Sequence, residues 1–155
     1  MEGRCTCGGV RYRLGAKPLF THCCHCTWCQ RETGSAFALN ALIETSKVTL
    51  LSGATETVTT PSASGKGQEI HRCPDCRVAL WSHYAGMGKG IAFIRVGSLE
   101  EPAGCPPDIH IFAESKLPWV QLPPDLPAVP EFYRLRDHWP EAAYVRFKAA
   151  RAATG

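Results

Sequence analysis

Four cysteine pairs constrain this chain more than any other feature: Cys5-Thr6-Cys7, Cys24-His25-Cys26, Cys26-Thr27-Trp28-Cys29 and Cys73-Pro74-Asp75-Cys76. In extended backbone, side chains two apart share a face. Cys5 and Cys7 therefore aim at one point, and so do Cys24 and Cys26, with His25 turned away. The Pro-Asp centre of the last pair suits a type I turn, which holds its end residues within about 7 Å. Cys26-Thr27-Trp28-Cys29 closes a similar turn without proline. Tetrahedral zinc takes four soft ligands at roughly 2.3 Å, and pairs of this kind each supply two. The competing reading, scattered and inert buried thiols, does not account for four overlapping pairs.

A disulfide framework fits poorly. The cysteines number nine, an odd count, and the first 30 residues carry Arg4, Arg11, Arg13 and Lys17 without the apolar stretch of a secretory signal. A cytoplasmic location is the expectation. The 155 residues are 45% hydrophobic and 20% charged, which fits one domain with a real core. A chain of this length buries roughly 68 to 70% of its unfolded surface, so the core needs no covalent staples. No apolar run approaches the ~18 residues of a membrane span. A net charge of +3 and a pI near 8.4 fall short of the basic character of a nucleic-acid binder.

Short strands dominate the hydrophobic pattern. Val10 to Leu14, Lys47 to Leu50 and Glu56 to Thr59 alternate apolar and polar, and further strands are expected over Ala36 to Ile43, Gln68 to Arg72, Val78 to Tyr84, Ile91 to Val96 and Asp108 to Phe112. Helical periodicity is scarce before residue 139. Eight of the twelve prolines lie from Pro102 to Pro130, a tract expected to run extended over the surface. Pro140-Glu141 opens a helix-forming tail with Tyr144 and Phe147 on one side, and with Arg146, Lys148 and Arg151 as its solvated face.

The cysteine pairs and their neighbours closely resemble the glutathione-dependent formaldehyde-activating enzyme family, which also includes centromere protein V. The resemblance rests on Gly3-Arg4-Cys5-Thr6-Cys7-Gly8-Gly9-Val10-Arg11-Tyr12, on Cys24-His25-Cys26-Thr27-Trp28-Cys29-Gln30-Arg31 with Gly34-Ser35-Ala36-Phe37, and on Cys73-Pro74-Asp75-Cys76. It continues in His110-Ile111-Phe112 with Ser115-Lys116 and Pro118-Trp119. It implies an all-β fold of several small coiled antiparallel sheets stapled by zinc, over residues 1–132, with 133–155 as a C-terminal extension carrying a short helix. It further implies a structural zinc held by Cys5, Cys7, Cys73 and Cys76, and a second, catalytic zinc held by Cys24, Cys26 and Cys29. The implied activity joins glutathione and formaldehyde as S-(hydroxymethyl)glutathione, a carbon-sulfur lyase reaction. Arg77 stands where the family often has Gly after its last zinc ligand, and no motif here identifies glutathione-contacting residues.

Ligand counting separates the two sets. Four thiolates complete a zinc shell, which makes a structural cross-link between the start and the middle of the chain, with Arg4 and Arg72 available to offset its charge. Three thiolates leave a fourth position for water, a substrate thiol or another protein ligand, and a thiol bound there is deprotonated at neutral pH. Cys23, His22, His25, Cys105 and His110 are the candidates to close that shell. Alternation disfavours His25 and Cys23, while His110 alternates with Ile109 and Ile111 and can face the site. Arg31 is a candidate for a substrate carboxylate and Trp119 for a pocket wall or core filler. Lys116 reads as solvated. Expected partners are a small thiol, glutathione above all, and a small aldehyde. The alternative is a non-catalytic, zinc-stapled protein-binding module.

Overall fold

The computed structural model describes residues 1–154. Its ten strands are β1 (Glu2–Arg4), β2 (Arg11–Leu14), β3 (Phe20–Cys24), β4 (Ala38–Glu44), β5 (Val48–Ser52), β6 (Glu56–Thr60), β7 (Gln68–Arg72), β8 (Ala79–Tyr84), β9 (Ile91–Arg95) and β10 (Ile109–Ile111). Two α-helices join them: α1 (Thr27–Thr33) and α2 (Glu141–Ala152). Strands β1-β2-β5 form a three-stranded sheet, and the other seven form one sheet in the order β10-β3-β4-β9-β8-β7-β6. The fold is all-β with a C-terminal helix. Several small sheets were expected; instead, antiparallel neighbours β6 to β9 and β9 to β4 continue into one large sheet. Its edge pair, β10 with β3, is parallel, because the chain returns from β9 through the proline tract rather than by a hairpin.

The large sheet has apolar packing on both faces, and strand alternation sorts the residues. Ala41 and Ile43 of β4, with Ala92 and Ile94 of β9, pack with Val10, Tyr12 and Leu14 of the small-sheet side. Ala38, Leu42, Ile91 and Phe93 point the other way, into a second core with Trp139, Ala143 and Phe147. Burial on both faces explains why β3 has no period-2 pattern: all five of its residues are buried. Two close approaches set the first core. A Cβ on Gly3 would lie 2.3 Å from Tyr12 Cζ, and Tyr12 is held there by a 2.7 Å hydrogen bond with Ser98 Oγ.

Helix α1 departs from the expected turn. Cys26 caps it in extended backbone, its sulfur accepting the Cys29 amide at 3.4 Å, and Gly34 ends it at φ 64°. The Cys26-x-x-Cys29 pair is therefore the first turn of a helix seven residues long. Among the described residues no helix is long and apolar enough to cross a membrane.

The tail is anchored rather than loosely appended. Trp139 stacks on Phe20 at 5.3 Å and donates to Tyr133 Oη at 2.7 Å, which in turn meets His22 Nε2 at 2.7 Å. Trp119, by contrast, is 71% exposed and neither fills the core nor walls the site. Arg146 is not simply solvated: its Nε and Nη2 reach the Glu44 carboxylate at 2.8 and 2.7 Å. Burial opposes the Glu44 charge, but Arg146 prevails and the pKa falls below 4.5. A folded pKa below the unfolded one means stability present above the unfolded pKa and lost as pH falls through the folded value. Arg146→Ala should cost about 2 kcal/mol at neutral pH. Urea unfolding should show that deficit shrinking as pH drops below 4.5; a pH-independent deficit would rule out the pair as its source.

Candidate metal centres and active site

The seven paired cysteines fall into two clusters on opposite faces of the large sheet. Cys5, Cys7, Cys73 and Cys76 bring their sulfurs within 4.8 Å of one another. Cys5 and Cys7 are 3.4 Å apart, and Cys7 and Cys73 3.7 Å. Tetrahedral zinc-thiolate geometry places sulfurs about 3.8 Å apart, so the set fits that ion with small adjustments. The backbone is shaped around it. Val10 N donates to Cys5 Sγ at 3.2 Å, and Cys73 O accepts Arg77 N at 3.0 Å, closing the loop over Pro74 and Asp75. Backbone donors, that of Cys7 first and then that of Val78, pull the Cys76 thiol down to about 6.

Closing that loop puts Arg77 at φ 63°, in the left-handed region where glycine is at ease. This explains physically why a glycine suits the position. Arg77→Gly should leave the loop intact and raise stability by up to about 1 kcal/mol, measured by thermal melting; a marked loss would mean that the exposed Arg77–Glu56 ion pair dominates. Arg4 and Arg72 are not free counter-charges for the thiols. Arg4 pairs with Glu100 at 2.9 Å, and Arg72 pairs with Glu32 of α1.

Cys24, Cys26 and Cys29 form the second cluster, all buried, with no fourth Cys, His, Asp or Glu in the group among the described residues. Thiol donors from Cys24 and Cys29, aided by backbone amides, hold the Cys26 thiol far below its usual value, while Cys24 is pushed well above it by its neighbours. The helix-capping sulfur is therefore the most readily ionised of the three. The three sulfurs line a cavity of about 390 Å³ with Trp28, Tyr84, Met87, Phe93, Phe112 and Phe132 among its walls. Phe112 sits at φ 54°, a strained conformation for an aromatic residue beside a site. Lys66 and Glu131 are its charged lining residues.

The candidates to close the three-thiol shell lie elsewhere. Cys105 sits in the first core, its sulfur 3.8 Å from Met1 Sδ. His22 bonds Tyr133, and burial lowers its pKa to about 3. Cys23, His25 and His110 gather with one another on the opposite face of β3 and β10. His110 therefore does not face the Cys24 cluster; parallel pairing puts it beside Cys23 instead. Arg31 is exposed in the last turn of α1 and does not line the cavity. Lys116 is not merely solvated, since its Nζ donates to Val120 O at 2.7 Å.

Asn40 and Arg95 were missed. Arg95 is a buried cation that donates to Asn40 Oδ1, and its Nε has no partner. A signal existed for Asn40, the polar residue inside Ala38-Leu39-Asn40-Ala41-Leu42-Ile43.

Fold and clusters together define a β-sheet protein with two cysteine centres able to hold metal. The chain belongs to the glutathione-dependent formaldehyde-activating enzyme family, whose pattern it matches over residues 1–115. It is 26% identical over 134 residues, 79% of this chain and 80% of the relative, to a Halomonas elongata protein provisionally named glutathione-dependent formaldehyde-activating enzyme. Its fold is similar to that in a crystal structure of a Rhodobacter sphaeroides protein, with a TM-score of 0.50, at 20% identity, over 64% of this chain and 88% of that one.

Proposed function

We propose that the chain is a zinc-dependent carbon-sulfur lyase interconverting a thiol and a small aldehyde with their adduct, with S-(hydroxymethyl)glutathione as the adduct its family name suggests. The observation that carries this reading is the Cys24, Cys26 and Cys29 trio opening on a cavity with no fourth protein ligand among the described residues. Zinc held by Cys24, Cys26 and Cys29 would supply Lewis acidity that favours the thiolate form of an incoming thiol. The protein's own residues do the remainder. Helix α1 sets the spacing of Cys26 and Cys29, and Arg95 offsets the surplus negative charge. The aromatic walls keep water from the adduct carbon. Tyr84, whose phenol burial keeps protonated, offers a hydrogen bond to the aldehyde oxygen as the carbon-sulfur bond forms, the proton released by the thiol reaches that oxygen from solvent, and both movements reverse when the adduct breaks down. Lys66 and Glu131 offer partners for a carboxylate and an ammonium group of the thiol.

In the same reading, Cys5, Cys7, Cys73 and Cys76 hold a structural zinc. Residues 1–132 carry the chemistry, and residues 133–155 form an extension whose Trp139, Ala143 and Phe147 brace the core behind it. The adduct also forms uncatalysed, so the decisive measurement is the exchange rate at equilibrium by magnetisation-transfer NMR. Zinc-loaded protein should accelerate it, and no acceleration with glutathione or other small thiols would end the enzyme reading. Lys66→Ala should raise KM for glutathione about fivefold with little change in kcat; an unchanged KM would remove Lys66 from binding.

A further inference from the structure

The cluster of Cys23, His25 and His110 is absorbed by neither centre. We infer that it is a third metal site, built for a borderline-soft divalent ion such as zinc, on the sheet face opposite the Cys24 trio. The residues converge because β10 pairs in parallel with β3, placing His110 beside Cys23, while His25 follows two residues later on the same face. Three backbone and side-chain bonds hold the loop: His25 N to Ile111 O at 3.0 Å, and Gln30 Nε2 and Ser115 Oγ to His25 O at 2.8 and 3.1 Å. All three side chains are more than nine-tenths buried.

Counting protons shows why the cluster is incomplete by itself. His25 Nε2 lies 2.9 Å from His110 Nδ1 and 3.5 Å from Cys23 Sγ. If Nε2 carries a proton for His110, the Cys23 thiol has no acceptor. If Nε2 is bare, the His110 N–H and the Cys23 S–H compete for one lone pair. In either tautomer His25 Nδ1 and His110 Nε2 remain buried without partners. Each such orphan keeps its desolvation penalty uncompensated, and buried polar groups are seldom left so.

A cation resolves the inward conflict. The Cys23 thiol releases its proton to solvent, and the sulfur and two neutral ring nitrogens each direct a lone pair at one centre. Bond lengths of about 2.3 Å to sulfur and 2.0 Å to nitrogen require sulfur–nitrogen separations near 3.5 Å and nitrogen–nitrogen separations near 3.3 Å. Cys23 and His25 already stand at that distance, Cys23 and His110 lie within the 4.8 Å span of the group, and the two rings need to part by a few tenths of an ångström. Both outer nitrogens then carry the N–H, the tautomer that ligating histidines adopt, although neither has a protein acceptor among the described residues.

The test is NMR of the full chain expressed with NMR-active cadmium as the sole added metal and with isotope-labelled histidine nitrogens. The expected result is one cadmium resonance coupled to two histidine nitrogens, separate from the all-sulfur signals of the other two clusters. It should vanish in both Cys23→Ser and His110→Gln while the all-sulfur signals persist. Folded wild type lacking any nitrogen-coupled cadmium resonance overturns the site, as does survival of that resonance in His110→Gln. If the variants fail to fold, the wild-type spectrum alone decides. The three-sulfur signal is read on the same sample, so its absence would count against the proposed active site and not against this one.

Discussion

Cys73→Ser should unfold the protein. Cys73 is fully buried, sits where β7 leaves the large sheet, and meets Cys7 from the first loop at 3.7 Å. It therefore ties the start of the chain to its middle, across a sequence separation of 66 residues. In sites of this kind metal-binding free energy, about 10–16 kcal/mol for structural zinc, is folding free energy. Whole domains are stable by only about 5–15 kcal/mol, so a broken shell consumes most of the margin. Serine offers a harder, poorly ionised oxygen, and its hydroxyl would stand among sulfurs in an apolar core. Circular dichroism and metal content should show loss of the β-sheet signal together with loss of zinc. Unchanged melting would mean that this cluster does not hold the fold.

Cys26→Ser should do the reverse, abolishing acceleration of S-(hydroxymethyl)glutathione exchange while leaving a folded chain. Cys26 is the most acidic thiol of its trio and caps α1. Serine is itself a good helix cap, so the local backbone survives the change. What disappears is one of three soft ligands and with it the site for a deprotonated thiol. The exchange rate should fall to the uncatalysed value, with melting within a few degrees of wild type. Folded Cys26→Ser protein retaining the wild-type rate would locate the chemistry elsewhere. Collapse of the variant, with Cys73→Ser intact, would mean that the structural and catalytic roles are exchanged.

The difference between the two clusters arises from their surroundings. The Cys5 set joins two loops, with Cys5 and Cys73 buried in the small-sheet core and Cys7 exposed, and four sulfurs there are enough to complete a tetrahedral shell. The Cys24 set stands at the end of β3, where α1 turns away and the strap around Phe112 and Phe132 leaves an apolar hollow. Reach along the chain decides this. Two pairs from distant loops can surround an ion, whereas three cysteines within six residues approach it from one side.

By itself the sequence determined the strands whose side chains alternate, the helical tail, and which cysteines share a face, because these depend on short-range backbone geometry. Strand β7 matches its expected bounds, Gln68–Arg72, and the strands at 79–84 and 91–95 differ from expectation by one residue at an end. Cys23 and His25 point away from Cys24 and Cys26, as alternation requires. Only the tertiary structure decided what lies opposite each face. It joined the expected small sheets into one of seven strands and hid β3, whose two buried faces erase the periodic signal. It also brought His110 to Cys23 across 87 residues, and Arg95 to Asn40. These pairings come from strand register between distant segments, which follows from burying the whole core at once and is written in no local pattern.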